Sequence, residues 1–115
     1  MEKNFGKDLN IGNPSKGSVM KNQKELGIKF DYDKAQYDLL DPYALEDMAK
    51  VLTMGAKKYG RYNWKNVDEH RYVAAMMRHF EAYRKGEVCD PESGLSHLAH
   101  AMVNLMFLYS FEKEK

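Results

Sequence analysis

The sequence has little cysteine and proline and no long apolar run. Its 115 residues include three prolines and one cysteine, Cys89. A single thiol excludes a disulfide within the chain and favours a reducing setting. No apolar segment approaches the roughly 20 residues that a membrane-spanning helix needs, and the first ten residues lack the apolar core of a secretion signal. We therefore expect one small cytoplasmic domain with no membrane partner.

Charge is nearly balanced but unevenly distributed. Residues 1–29 carry six lysines against three acidic residues, whereas the rest of the chain has a slight acidic excess. A basic arm can contact nucleic acid or a phosphorylated ligand, but a solvated tail is the more common interpretation, and we find no strong signal for nucleic-acid binding. The arm is rich in glycine and lacks periodicity. We predict a flexible, poorly ordered arm over 1–29 and a single ordered domain over 30–115.

Helical periodicity predicts an all-α fold, a small helical bundle. Asp41 and Pro42 form a typical helix start, apolar residues follow at helical spacing, and Gly60 is a stop signal. These signals predict a first helix over 42–59.

Two further helices complete the predicted bundle. The second, over 69–85, follows Asp68 as a plausible N-cap and ends before Gly86. The third, over 93–111, is apolar on almost every side, which is typical of a buried central helix. Because the bundle is small, a helix of this kind suggests that oligomerisation covers part of it.

Polar side chains occur on the apolar faces of two of these helices. At about 100° per residue, His79 lies within the apolar stripe of the second helix, and His97, His100 and Asn104 share one face of the third. Each alone is more often a hydrogen-bonded core residue than a ligand. Four on converging faces favour a polar pocket or a metal site inside the bundle.

A metal site is one interpretation of this stripe. His97 and His100 are three residues apart, so both rings can point at one ion, and Glu92 could add an oxygen ligand. Imidazole suits Zn, Mn, Fe or Ni better than Mg. The spacing is common by chance, so these three residues are only candidates.

A second cluster, GAKKYGRYNW, spans residues 55–64. Lys57 and Lys58 can simply interact with the dipole at a helix C-terminus. Alternatively they can bind phosphate, with Arg61 and Arg78 as further candidates. Tyr59 and Trp64 offer rings on which a base can stack. Asn63 offers an amide that can read a base edge, while Trp64 could equally be a core anchor.

The two clusters together resemble a known family. The strings YDLLDPYALEDMAKVLTMGAKKYGRYNW and RHFEAYRKGEVCDPESGLSHLAHAMVNLMFL are similar to phage and prophage dATP/dGTP diphosphohydrolase N-terminal domains, which are grouped with the MazG-like all-α nucleotide pyrophosphohydrolases. The resemblance covers about 30–111. It implies hydrolysis of a purine (deoxy)nucleoside triphosphate to the monophosphate and pyrophosphate, assisted by a divalent metal, Mg or Mn, in the host cytosol.

The resemblance also implies roles for individual residues. Phosphate would be handled by basic side chains, namely Lys57, Lys58, Arg78 and His79. The base pocket would be lined by Tyr59, Asn63 and Trp64. The polar centre of the site would consist of Glu92, His97, His100 and Asn104, with Glu92, His97 and His100 as candidate metal ligands.

The chain departs from the MazG pattern in its acidic residues. MazG-like enzymes hold Mg with ExxE and ExxD pairs on two helices, and this chain has neither pair on a predicted helix. Mg prefers hard oxygen ligands. Three alternatives follow: a different ion, acidic residues that converge from separate elements, or a protein that binds and sequesters a nucleotide or nucleotide signal without cleaving it. A helical interaction module with purely structural histidines is a further possibility.

Overall fold

The computed structural model describes residues 27–115, which contain three α-helices and no β-sheet. Helix α1 spans Pro42–Tyr59, α2 spans Glu69–Arg84 and α3 spans His97–Glu114. Short 3-10 helices occupy Tyr37–Leu39 and Asn63–Asn66. The predicted all-α bundle is confirmed. The helices belong to one compact unit, Tyr37–Lys115, and the predicted arm over 1–29 lies almost wholly outside the described residues.

Helix α1 has the boundaries that its sequence signals predict. The Asp41 carboxylate accepts a hydrogen bond from the backbone N–H of Ala44 at 2.9 Å, and Pro42 occupies the first turn. At the other end, Gly60 adopts a φ of 95°, which favours glycine, and its N–H donates to the carbonyl of Ala56 at 2.8 Å. Local capping chemistry is therefore sufficient to define this helix.

Helix α2 agrees with its prediction to within one residue, since it ends at Arg84 instead of residue 85. Asp68 occupies the N-cap position, but its side chain makes no capping hydrogen bond. Gly86 follows with a φ of 104° and donates its N–H to the carbonyl of Tyr83. The glycine turn redirects the chain towards α3.

Helix α3 begins four residues later than residue 93, where we predicted its start, and ends at Glu114 instead of residue 111. The residues before it form a tight loop in which Gly94 has a φ of 76° and the N–H of His97 donates to the carbonyl of Val88. Ser96 caps the helix by accepting from the N–H of Leu98 at 3.0 Å. The conformation of Gly94 and the hydrogen bond across the loop from His97 to Val88 exclude a helical turn at residue 93.

The prediction that α3 is the central helix is confirmed. It packs against both α1 and α2, and the buried residues of the described part of the chain all lie on it: His97, Ala99, Ala101, Val103, Asn104 and Phe107. Trp64, in the 3-10 helix between α1 and α2, stacks on Phe107 with ring centroids 4.6 Å apart. Among residues 27–115, no helix is both long and apolar enough to cross a bilayer.

Apolar side chains on the outer faces remain uncovered in the single chain. Leu105 and Tyr109 on α3 are 50% and 59% exposed, and Phe80 on α2 is 41% exposed. Leu105 and Tyr109 are four residues apart, so they share one face of the helix. Completion of the bundle by oligomerisation stays a prediction.

Candidate functional site

Three imidazole rings meet where α2 and α3 pack together. His79 extends from α2, and its Nδ1 atom lies 2.9 Å from the Nδ1 atom of His97. Its ring also stacks on His100, with centroids 4.4 Å apart and an interplanar angle of 7°. The sequence predicted that these three residues face one interior, and the structure places His79 in contact with both His97 and His100.

A carboxylate anchors the buried end of this cluster. His97 is 4% exposed, and its Nε2 atom lies 2.8 Å from Oε1 of Glu87, in the turn after α2. Both nitrogens of the ring therefore have hydrogen-bond partners, which satisfies an otherwise costly buried polar group. With both nitrogens occupied, His97 is not available as a metal ligand in this arrangement.

The loop before α3 holds the other end of the cluster. The Nε2 atom of His100 lies 2.8 Å from Oγ of Ser93 and 3.7 Å from Oδ2 of Asp90. Ser93 also accepts from the N–H of Leu95 at 3.1 Å. The loop thus folds its polar side chains back onto the first turn of α3, next to His100.

The pKa values of the cluster follow from its burial. Desolvation lowers the pKa of His79, and positive charge on His100 would lower it further. Desolvation also lowers the pKa of His100, although Asp90 opposes the shift. Burial tends to raise the pKa of Asp90, but hydrogen bonds from the Glu92 backbone and the Ser93 side chain outweigh it and lower that pKa. His79 and His100 are consequently neutral bases at neutral pH, beside an ionised Asp90.

An open groove of about 560 Å³ runs beside the cluster, a volume suited to a small-molecule ligand. One wall consists of α1 residues and the loop after it, including Tyr59, Arg61, Tyr62, Asn63 and Trp64; α3 supplies His100, Val103, Asn104 and Phe107 to the other. The groove is therefore aromatic on one side and carries an imidazole and an amide on the other.

Two of the groove residues have structural as well as potential binding roles. The Asn104 side-chain N–H donates to the carbonyl of His100 at 2.8 Å, which leaves the amide oxygen outside this contact. Trp64 contacts Phe107 and Phe111 and accepts a hydrogen bond from the Tyr72 hydroxyl at its carbonyl. Trp64 thus both anchors the segment between α1 and α2 to the core and lines the groove.

The structure brings some predicted site residues together and separates others. Lys57 and Lys58 are exposed at the C-terminal end of α1, and the Nζ atom of Lys58 lies 3.9 Å from the Glu92 carboxylate, beside the loop that holds His100. Arg78 instead lines a separate depression with Lys85 and Glu87. Arg78 is therefore close to His79 but does not line the groove.

The proposed metal ligands do not converge. Glu92 has a side chain that is 82% exposed and points towards Lys58, and Asp90 is the carboxylate nearest His100. Within residues 27–115, no group of three or more His, Cys, Asp or Glu side chains is arranged to hold a metal ion. The described residues of the single chain therefore offer no preformed set of ligands for a divalent ion.

Glu87, Asp90, Ser93 and Tyr62 are site residues that reasoning from the sequence missed. Glu87, Asp90 and Ser93 hold the histidines from turns that have no periodicity, so only the polar string EVCDPES was available as a signal. Tyr62 lines the groove with a φ of 65°, a left-handed conformation that is uncommon for a bulky residue. Such a conformation is visible only in the folded chain.

Comparison with known proteins identifies relatives of the whole helical unit. A family model described as dATP/dGTP diphosphohydrolase, N-terminal, matches residues 24–115. A protein of Salmonella phage PMBT28 named dATP/dGTP diphosphohydrolase is 45% identical over 83 residues. The matched region is 72% of this chain but only 29% of that protein, so the chain spans less than a third of its relative. No solved structure matches.

Proposed function

The chain belongs to the dATP/dGTP diphosphohydrolase N-terminal family, and on that premise we propose that it is the nucleotide-binding part of a phage-type pyrophosphohydrolase that acts on purine (deoxy)nucleoside triphosphates. The products would be the nucleoside monophosphate and pyrophosphate. The observation that carries the proposal is the groove, because an aromatic wall faces an imidazole and an amide across a space of nucleotide size.

The base would occupy the aromatic side of the groove. Tyr59 is 66% exposed and Tyr62 is 60% exposed, so both rings are accessible to a purine once the lysine and arginine side chains that lie over them move aside. Asn63 lines the same wall and offers a donor and an acceptor for the base edge. These contacts would orient the nucleotide without using the histidine cluster.

The phosphates would lie towards the loop that precedes α3. Lys58 lies beside Glu92 in that loop, close to His100, and Lys57 is adjacent in the chain. Their charges would stabilise the negative charge that develops on the departing pyrophosphate. A divalent ion, Mg or Mn, would arrive bound to the triphosphate as part of the substrate, because the described residues do not form a resident metal site.

His100 is the side chain best suited to activate water. Its lowered pKa keeps it neutral, and it lines the groove. Water would attack the α-phosphorus and give its proton to His100, while the bond from that phosphorus to the bridging oxygen breaks and pyrophosphate leaves. Asn104 would present its amide oxygen to the same end of the groove.

The direct test is product analysis. Pure protein would be incubated with each (d)NTP and either Mg or Mn, and the products separated by chromatography. We expect equal amounts of monophosphate and pyrophosphate from a purine substrate, and a loss of turnover in His100→Gln but not in His70→Gln, which changes an exposed histidine. Absence of both products with every substrate and metal would overturn catalysis by this chain.

A second candidate function is sequestration of a nucleotide or nucleotide-derived signal without cleavage. The lack of a convergent set of metal ligands among residues 27–115 favours it. Calorimetry would then show reversible binding, and the ligand would be recovered intact after denaturation of the protein. Conversion of the bound ligand during the measurement would exclude this alternative.

We further propose that the chain acts as a homo-oligomer in the host cytosol. The uncovered Leu105 and Tyr109 support self-association, because burial of apolar side chains is the main driving force for it.

A further inference from the structure

Proton positions along the histidine cluster are constrained by its hydrogen bonds. The Nδ1 atoms of His79 and His97 are 2.9 Å apart, so one of them must carry a hydrogen and the other must accept it. The Nε2 atom of His97 lies 2.8 Å from Glu87 Oε1, and an ionised carboxylate only accepts. His97 therefore carries a hydrogen on Nε2.

These two constraints together determine the neutral tautomers. When His97 is neutral, its single hydrogen is on Nε2, so its Nδ1 accepts from His79. His79 must then carry its hydrogen on Nδ1, which leaves its Nε2 atom as an unprotonated acceptor. The ring that bears this acceptor lies flat on His100 at 4.4 Å, and His100 lines the groove.

We infer that Glu87 is a positioning residue that acts through His97 to hold His79 in the Nδ1–H tautomer. Glu87 itself borders the depression that contains Arg78, not the groove, and its side chain is 54% exposed. It therefore acts at a distance, in the way that a carboxylate fixes the ring of a metal- or substrate-binding histidine. The consequence is a basic nitrogen of defined position beside the groove-lining imidazole.

The functional consequence rests on the proposed nucleotide site. An unprotonated Nε2 on His79 can accept a hydrogen bond from a donor of the ligand or from ordered water next to His100. If the hydrogen bonds ran in the opposite direction, with His97 donating to His79, the Nε2 atom of His79 would carry a hydrogen and act as a donor instead. Glu87 thus selects between an acceptor and a donor at the edge of the site.

The test is nitrogen NMR of protein with labelled histidine at about pH 8, above the usual imidazole titration range near 6.5. We expect His79 to carry its proton on Nδ1 in the wild-type protein. In Glu87→Gln the terminal amide can both donate and accept, so the His79 signal should shift towards the Nε2–H form. A wild-type His79 protonated on Nε2 would overturn the inference, and so would an undiminished Nδ1–H form in Glu87→Leu, which removes the acceptor for His97 Nε2.

Glu81→Gln is the matched control, because Glu81 borders the same depression and pairs with Arg84 at 2.9 Å without touching a histidine. It removes the same charge and should leave the tautomer of His79 unchanged. Thermal denaturation of both variants would verify that they fold. A tautomer shift in Glu81→Gln equal to that in Glu87→Gln would assign the effect to general charge and contradict the inference.

Turnover provides a second, separate measurement. If the chain hydrolyses nucleotide, Glu87→Gln should lower kcat by roughly 10- to 100-fold, as removal of outer partners of functional histidines does, with little change in KM. Unchanged kcat with a shifted tautomer would refute the functional consequence while the tautomer assignment stands. Because the NMR measurement needs no substrate, a protein that hydrolyses nothing would refute only the proposed function.

Discussion

The Nδ1 atoms of His79 and His97 lie 2.9 Å apart, so a single hydrogen links α2 to α3 inside the bundle. The protonation state of either ring constrains the other, because both nitrogens cannot donate at once. The same contact connects the buried His97 to the groove-lining His100 through the stacked ring of His79. The contact between the two helices and the lining of the groove therefore share one set of side chains.

Acidification is expected to destabilise the fold. Burial lowers the pKa of His79 and His100 below the ordinary value of 6.5, so the unfolded chain binds more protons once the pH falls through that value. The stability that these two neutral histidines contribute is fully present above about pH 6.5, and it is lost as the pH falls from there towards their folded pKa values. Melting temperatures at about pH 7.5 and 5.5 would measure the loss.

The matched comparison is the double variant His79→Gln/His100→Gln, which removes both titrating groups. Its melting temperature should change less over the same pH interval than that of the wild type. A wild-type melting temperature that stays constant over the interval would contradict the lowered pKa values.

Removal of the α1 cap should destabilise the protein. Asp41→Ala eliminates the hydrogen bond to the N–H of Ala44, and the free energy of unfolding should fall by about 1 kcal/mol. Asp68→Ala is the control, because Asp68 occupies the equivalent position of α2 without a capping bond. Urea denaturation would compare the two, and equal losses would show that the cap geometry is not the cause.

His97→Ala should destabilise the protein more strongly than the cap variant. It leaves a cavity and removes the partner of His79 and Glu87, for an expected loss of about 2–4 kcal/mol. His70→Ala, on the exposed side of α2, should be near neutral. If His97→Ala folds and binds nucleotide with unchanged affinity, the histidines are structural and the interaction-module interpretation gains support.

The aromatic wall of the groove allows binding to be separated from folding. Tyr59→Ala should weaken nucleotide binding by about 1–3 kcal/mol through lost stacking, with little effect on stability, because Tyr59 is 66% exposed. Trp64→Ala should reduce both, since Trp64 also packs on Phe107. Calorimetry and thermal denaturation would check the pair; a stable Tyr59→Ala protein with wild-type affinity would place the base elsewhere.

A charge on the uncovered face of α3 should disrupt self-association. Leu105→Glu introduces a carboxylate at a half-exposed apolar position, so an oligomer that buries this face should dissociate. Light scattering coupled to size exclusion would report the mass. Lys113→Glu, a charge change at an exposed position on the same helix, is the control, and a monomeric wild-type protein would contradict the predicted homo-oligomer.

Local chemistry made much of the fold predictable. The boundaries of α1 are those expected from Asp41, Pro42 and Gly60, because each acts on its own turn of the helix. The apolar surround of α3 likewise predicted its central position. The start of that helix was placed too early, because the conformation at Gly94 depends on hydrogen bonds across the loop, from Gly94 to Asp90 and from His97 to Val88.

The sequence by itself determined which polar residues face the interior, since helical periodicity places His79, His97, His100 and Asn104 on core-facing stripes. Only the tertiary structure decided what those residues contact. Glu87 lies ten residues from His97, and His79 eighteen, so their pairing depends on the packing of α2 against α3 and the turn between them. Hydrogen-bond geometry over such separations is set by packing, which no local signal encodes.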